Sequence, residues 1–221
     1  MDGNGRWAEA HGLSRLAGHR EGVKSARDIV RTAGEVGVKH LTLYTFSTEN
    51  FRRSKVEVDA LMLLLVTTIG KEVRNLMENN VRLSVIGRTE QLPSATQSAL
   101  RSAVDKLADN TGLHLVLAIA YGARQEILDA VNRLRNTTGE IGEAELSAAM
   151  YTAGTPDPDL IVRTSGEMRL SNFLLWQAAY SELVVTPTLW PDFRRAEFLQ
   201  AIEEYGRRER RYGARTTGVE S

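Results

Sequence analysis

The amino-acid sequence predicts an α/β fold, a mostly parallel central sheet flanked by helices, forming one domain over residues 1–213. Two patterns carry this prediction. Segments with apolar residues at three- and four-residue spacing alternate with segments rich in β-branched and aromatic residues, the order of a sheet wound with helices. Several of the latter, such as 113–120, are almost continuously apolar, as strands covered on both faces must be. The length agrees, because 221 residues of which 42% are hydrophobic suffice for one sizeable core.

The elements follow in order. Val23, Ala26, Ile29, Val30 and Ala33 share one face of a helix over 21–35, and Gly37 stands where that helix should close. Residues 38–46 read as a strand that runs into the polar loop Ser47-Thr48-Glu49-Asn50. A long helix over 56–77 is apolar around much of its circumference, and Asn79-Asn80 ends it before a strand at 81–87. Pro93 opens a helix reaching residue 107, Asn110-Thr111-Gly112 turns the chain into the strand 113–120, and 124–134 is helical again. Beyond a loop-like stretch at 136–142 come a short helix at 143–151, a strand at 159–164, a helix around 173–180, a strand at 183–186 and a last helix over 195–205. Residues 214–221 read as a disordered tail.

Composition removes whole classes of function. The 28 Lys and Arg balance 28 Asp and Glu, which argues against a generic nucleic-acid binder. There is no cysteine, so disulfides, thiolate catalysis and Cys-held metals are excluded, and a cytoplasmic location is expected. The apolar run 61–66 is far shorter than a membrane-spanning helix requires. No zinc-ligand spacing, Walker loop or nucleophile elbow occurs. His11, His40 and His114 read as surface or structural residues.

Three polar clusters remain, two of them directly after strands, where ligands sit in open α/β sheets. The opening Asp2-Gly3-Asn4-Gly5-Arg6-Trp7 offers a carboxylate, glycines that let backbone N–H groups approach a phosphate, and a guanidinium clamp. Taken alone it is more plainly an Asp-capped turn. Arg15 and His19, four residues apart, lie on one helix face. The second cluster runs from Ser47 through Phe51 to Arg53; its hydroxyls and amide alone are ordinary turn chemistry. The third gathers Arg163, Arg169, Leu170 and Ser171 around Gly166, with two arginines suited to a diphosphate. An Arg-rich, Gly-containing pocket with isolated carboxylates suits Mg²⁺ held by one or two carboxylates and substrate phosphates.

Together, MDGNGRWA, GHREG, LYTFSTENFRR, IVRTSGEMRLSNFLLWQAAYSEL, LWPDF and RRERRYG resemble the cis-prenyltransferases, in particular the undecaprenyl diphosphate synthase type of bacteria. The match spans nearly the whole chain, with long, ordered motifs. The resemblance implies a homodimeric, Mg²⁺-dependent enzyme that adds isopentenyl diphosphate to an allylic diphosphate such as farnesyl diphosphate, making the precursor of an undecaprenyl-type lipid carrier. It also implies peripheral membrane contact through the product. By the same resemblance Asp2 binds Mg²⁺ and assists the leaving group, with Glu182 as second carboxylate. Gly3, Asn4, Gly5, Arg6, Arg15 and His19 cradle the allylic diphosphate, and Trp7 and Arg53 complete the pocket. Ser47, Thr48, Glu49 and Asn50 border the reacting carbons, with Asn50 a proton acceptor. Arg163, Arg169 and Ser171 grip isopentenyl diphosphate beside Leu170, and Arg211 reaches across the dimer. The apolar helix 56–77 then offers a wall for a growing chain, although most of its positions read as plain core.

Two departures from the family pattern stand out. Position 51 is Phe where Trp is usual, a change that alters packing near the substrate without removing chemistry. Family members also carry a strand ahead of the first motif, so an apolar strand is expected to precede Met1. Two other functions are weighed against this one: a non-catalytic subunit of a heteromeric prenyltransferase, and a diphosphate-binding hydrolase. The presence of Asp2, Arg6, Asn50, Arg163 and Arg169 opposes the first. The second finds no convincing general base beyond Glu49.

Overall fold

The computed structural model describes residues 1–208. Helices α1 (Asn4–Ala10) and α2 (Arg15–Glu35) lead into strand β1 (His40–Ser47), and a 3-10 turn, Thr48–Arg52, carries the chain to α3 (Lys55–Glu78). Strand β2 (Arg82–Ile86), helix α4 (Ser94–Lys106), strand β3 (His114–Tyr121) and helix α5 (Ala123–Leu134) follow. A short helix α6 (Glu143–Ala149), strands β4 (Leu160–Arg163) and β5 (Glu182–Val185), and helix α7 (Arg195–Gly206) complete the described chain.

All strand pairs described are parallel, as the apolar runs predict, in two separate groups. One is ordered β1-β3-β2 and the other pairs β4 with β5. The central strand β3 shows why the sequence looks continuously apolar there. Leu115, Leu117 and Ile119 face a core with Ile29, Met62, Ile69, Leu83 and Leu100, while Val116 and Ala118 face a second one with Ile86, Tyr121 and Leu174. Side chains alternate across a strand, and here both faces are buried. The parallel direction brings the carboxyl ends of β1 and β3 to one edge.

Three local expectations are corrected. Helix α2 begins at Arg15, six residues ahead of the helix expected over 21–35 and continuous with the helical stretch that carries Arg15 and His19, with the Ser14 hydroxyl accepting from the Ala17 N–H at 3.3 Å. Gly18 and Gly22 weaken the helical signal there, yet they are what lets α1 pack against α2. A Cβ at Gly18 would overlap the Asn4 carbonyl oxygen, and one at Gly22 would come within 2.9 Å of Trp190. The opening motif, read alone as an Asp-capped turn, enters helix α1 at Asn4, with Gly3 capping it at φ 105°. Finally, the helix expected around 173–180 is a series of turns. Ser171, Asn172 and Leu174 adopt positive φ (49°, 63° and 44°), which breaks the i to i−4 hydrogen-bond ladder at its start. Arg211 and the tail 214–221 lie outside the described residues.

Candidate active site

The polar clusters converge at the carboxyl-end edge of the strands. Asp2 joins the first cluster to the third. Its N–H donates to Thr164 Oγ1 at 3.0 Å, and the Thr164 hydroxyl donates to the Asp2 carbonyl at 3.0 Å. Trp190 N–H donates to that same carbonyl at 2.9 Å. On the side chain, Oδ1 accepts from Gly3 N–H at 2.7 Å and Oδ2 accepts from Arg163 Nη2 at 2.9 Å. Arg6 stands 3.5 Å from the same Oδ2 and 3.3 Å from Glu167. Gly3 is required for this approach, because a Cβ there would lie 2.9 Å from Leu189 and closer still to Ser165 Oγ.

Beneath the clusters lies a cavity of about 1420 Å³. Its mouth is formed by Asp2, Gly3, Asn4, Gly5, Arg6, Arg15, His19, Ser47, Glu49, Asn50, Arg53, Arg163 and Ser171, so the structure brings most of the expected residues together. Below them an apolar stripe follows, in which Val23, Ala26 and Val30 of α2 accompany Leu61, Leu65 and Ile69 of α3 and Leu43, Leu115 and Leu117 of the sheet, while polar side chains of the same two helices, Arg31, Glu72 and Asn75 among them, also border the cavity. The cavity continues to Val81, Gly112 and Leu113, near the amino ends of β2 and β3. It therefore follows the height of an eight-residue strand, about 26 Å. Helix α3 is a cavity wall along much of its length, beyond the core role that its composition suggests.

Five buried side-chain polar atoms among the described residues lack a hydrogen-bond partner; Asn4 Oδ1 and Arg163 Nε belong to residues of this mouth, and Thr48 Oγ1 and Ser165 Oγ to the loops that carry its other residues. Unpaired buried polar groups are costly. Two such atoms at the mouth and two in its flanking loops leave polar capacity there for a ligand. The electrostatics agree. Burial, with Arg53 and Arg15 nearby, lowers His19 to about 4, against the opposing pull of Glu57. His19 therefore stays neutral at pH 7. At Glu49, burial pushes the carboxyl up, but hydrogen bonds from Asn172, its own backbone and Ser47 outweigh it and hold the group below its ordinary value. Asn50 is folded back on the loop, its Oδ1 accepting from Ser47 N–H at 3.0 Å.

Several expected residues stand elsewhere. Trp7 stacks on His11, with ring centroids 4.1 Å apart, and donates to Asp192 Oδ1 at 2.8 Å. Phe51 packs edge-on against Phe46 in the core. Arg169 pairs with Glu167 on the rim at 2.5 Å, and Leu170 does not line the cavity. Glu182 opens β5, where it accepts from Arg208 at 2.8 Å. The register sets Glu182 opposite Leu160 and Val185 opposite Arg163, so Glu182 lies about 10 Å along the strand from the level of Asp2. This chain's own Glu182 does not join Asp2 in a common site. Sequence reasoning passed over Thr164, Ser165, Glu167 and Asn172, all within or beside the third cluster and without a distinguishing spacing.

No group of three or more His, Asp or Glu side chains among the described residues is placed to hold a metal by itself. The single carboxylate Asp2, surrounded by guanidinium groups, fits Mg²⁺ as one ligand of an ion whose remaining ligands come from substrate phosphates and water.

Known proteins decide the family. The family model described as putative undecaprenyl diphosphate synthase matches residues 1–213. The chain belongs to that prenyltransferase family. An isoprenyl transferase of Heliobacterium mobile is 49% identical over 220 residues, covering 96% of this chain and 85% of its own. That of Rhizobium meliloti is 50% identical over 223 residues, covering 98% and 90%. Among solved structures, lavandulyl diphosphate synthase from Lavandula x intermedia in complex with dimethylallyl diphosphate superposes with a TM-score of 0.93 at 36% identity, covering 96% of this chain and 95% of its own. A probable undecaprenyl diphosphate synthase from Campylobacter jejuni gives 0.81 at 34%, covering 88% and 92%. The family fold is thus an α/β sheet of parallel strands with helices, as the sequence predicts.

Proposed function

We propose that this prenyltransferase condenses isopentenyl diphosphate with an allylic diphosphate, farnesyl diphosphate in particular, and extends it to a cis-polyprenyl diphosphate of the undecaprenyl kind. The supporting observation is continuity: a mouth rich in arginine opens into a cavity with an apolar stripe that runs as deep as the sheet is high. Dimethylallyl diphosphate, bound by the lavandulyl relative, is itself an allylic diphosphate. The enzyme acts as a homodimer in the cytoplasm, and its product contacts a membrane. No described helix is long and apolar enough to cross one.

The residues suggest how the reaction proceeds. Gly3, Asn4, Arg6 and Arg15 hold the allylic diphosphate, and Arg163 with Ser171 holds isopentenyl diphosphate beside it. The allylic C–O bond breaks, inorganic diphosphate leaves with the electron pair, and the double bond of isopentenyl diphosphate attacks the freed carbon. Guanidinium groups fixed beforehand stabilise the charge growing on the leaving group more than they stabilise the ground state. Asp2 would hold Mg²⁺, which would supply further neutralisation of that charge. The allyl cation forms above apolar walls that exclude water. A proton must then leave the new adduct. Asn50 is a neutral amide whose oxygen already accepts from Ser47, so it positions the adduct, and a diphosphate oxygen takes the proton. Purified protein incubated with Mg²⁺, farnesyl diphosphate and labelled isopentenyl diphosphate should yield long prenyl diphosphates by mass spectrometry. No incorporation of label would overturn the proposal.

A further inference from the structure

Asn172 occupies a junction that the reaction as described leaves unused. Its backbone carbonyl accepts from Ala123 N–H at 2.8 Å and its Oδ1 accepts from Arg124 N–H at 2.9 Å, which docks it on the first turn of α5. Its Nδ2 donates to Glu49 Oε1 at 3.0 Å, in the loop that follows β1, and to Gln125 Oε1 at 3.2 Å. Ser171, on the cavity rim, is its chain neighbour. One side chain therefore ties together segments following β1, β3 and β4. The backbone is bent to make this junction. Ser171 and Asn172 both sit at positive φ, a conformation that asparagine tolerates and that serine adopts rarely unless its surroundings impose it. Gly122 leaves the space, since a Cβ there would come within 2.6 Å of Asn172 Nδ2 and 2.8 Å of Thr48 Oγ1.

We propose that Asn172 is a positioning residue that fixes the Glu49 carboxylate and the Ser171 rim relative to one another, so that the two diphosphate subsites hold their substrates in reacting register. Asn172 lines the cavity beside Ser171, and its side-chain amide is taken up by Glu49, Gln125 and the Arg124 N–H. Its amide donates to the charged form of Glu49 and thereby favours that form. The other ionisable groups around Glu49 are Tyr44 of β1, whose phenol burial and the Glu49 charge push up, and Arg53, Arg163 and His19 across the cavity. Arg124 of α5 donates its backbone N–H to Asn172 Oδ1.

The inference rests on the proposed condensation, and its test has one arm that does not. Asn172→Gly tolerates the positive φ while deleting the amide, and Asn172→Asp keeps the acceptor for Arg124 but sets a carboxylate against Glu49. In both, carbon-13 NMR titration of the Glu49 carboxyl, assigned with Glu49→Gln, should show its pKa moved upward from wild type. In the condensation assay, kcat should fall by about 10- to 100-fold while the melting temperature of Asn172→Gly changes little. The acid limb of kcat/KM should rise with the Glu49 titration, and that limb should not respond to Asn172→Gly in a Glu49→Gln background. An unmoved Glu49 titration, or an equal kinetic loss in the Glu49→Gln background, overturns the role of Asn172. Inactivity of the wild type would instead remove the condensation, and the titration would still decide whether Asn172 fixes Glu49.

Discussion

Asp2 is held through its backbone by Thr164 and Trp190 and through its carboxylate by Gly3 and Arg163. Such a residue has little freedom, which is what a site needs if its charge is to be in place before the transition state. Asp2→Asn preserves shape and removes charge, so it should lower kcat by about 10²- to 10³-fold, the scale of losing one preorganised electrostatic group, with a far-ultraviolet circular dichroism spectrum like wild type. Activity within a factor of two would place the essential carboxylate elsewhere. His19 gives a pH prediction. Its pKa is near 4 in the folded chain and about 6.5 when unfolded, so between these values the unfolded state binds more protons. This contribution to stability is complete above pH 6.5 and lost as pH falls toward 4. Melting temperatures across that window should fall less steeply for His19→Gln than for wild type, and parallel curves would refute the assignment. The residues that the sequence reveals best are those in long polar motifs, such as Arg6 and Arg163. Thr164 and Asn172 act through contacts with residues more than a hundred positions away, which no local spacing shows.

At the scale of elements, α2 shows how local propensity and packing conflict. Alanine normally stabilises a helix interior over glycine by about 0.5–1 kcal/mol. At Gly18 the sign should reverse, because the added Cβ overlaps the Asn4 carbonyl oxygen of α1 and overpacking costs about 1–3 kcal/mol. Since Asn4 to Arg6 shape the mouth, Gly18→Ala should also raise KM for the allylic substrate. Gly70 in α3 is the control: nothing lies within 4 Å of a Cβ there, so Gly70→Ala should raise the melting temperature and leave KM unchanged. Equal effects at both positions would mean that α1 yields freely. The same conflict explains the late start assigned to α2 from sequence. Conversely, 173–180 looks helical from its apolar spacing but is unwound by the Ser171-to-Leu174 conformation, a tertiary requirement that outweighs propensity.

At the scale of the whole molecule, the fold class was legible because β3 is buried on both faces, which leaves a continuous apolar run in the sequence. The cavity was not, since a residue lining an apolar tunnel and a residue filling a core are chemically alike. Only the packing of α2 and α3 over β1, β2 and β3 separates them. If a growing chain descends this cavity, blocking it should shorten products without stopping the first condensation. Ala26 and Val30 both line it on α2, one turn apart, so Val30 lies about 6 Å deeper along the helix axis. Ala26→Phe should therefore give shorter products than Val30→Phe, and both shorter than wild type, by mass spectrometry after exhaustive reaction. The initial rate of the first addition should stay within a few-fold, because neither side chain reaches the diphosphate clusters. A product distribution unchanged in both variants, with normal melting temperatures, would show that the chain leaves by another route and that the apolar volume serves only the core.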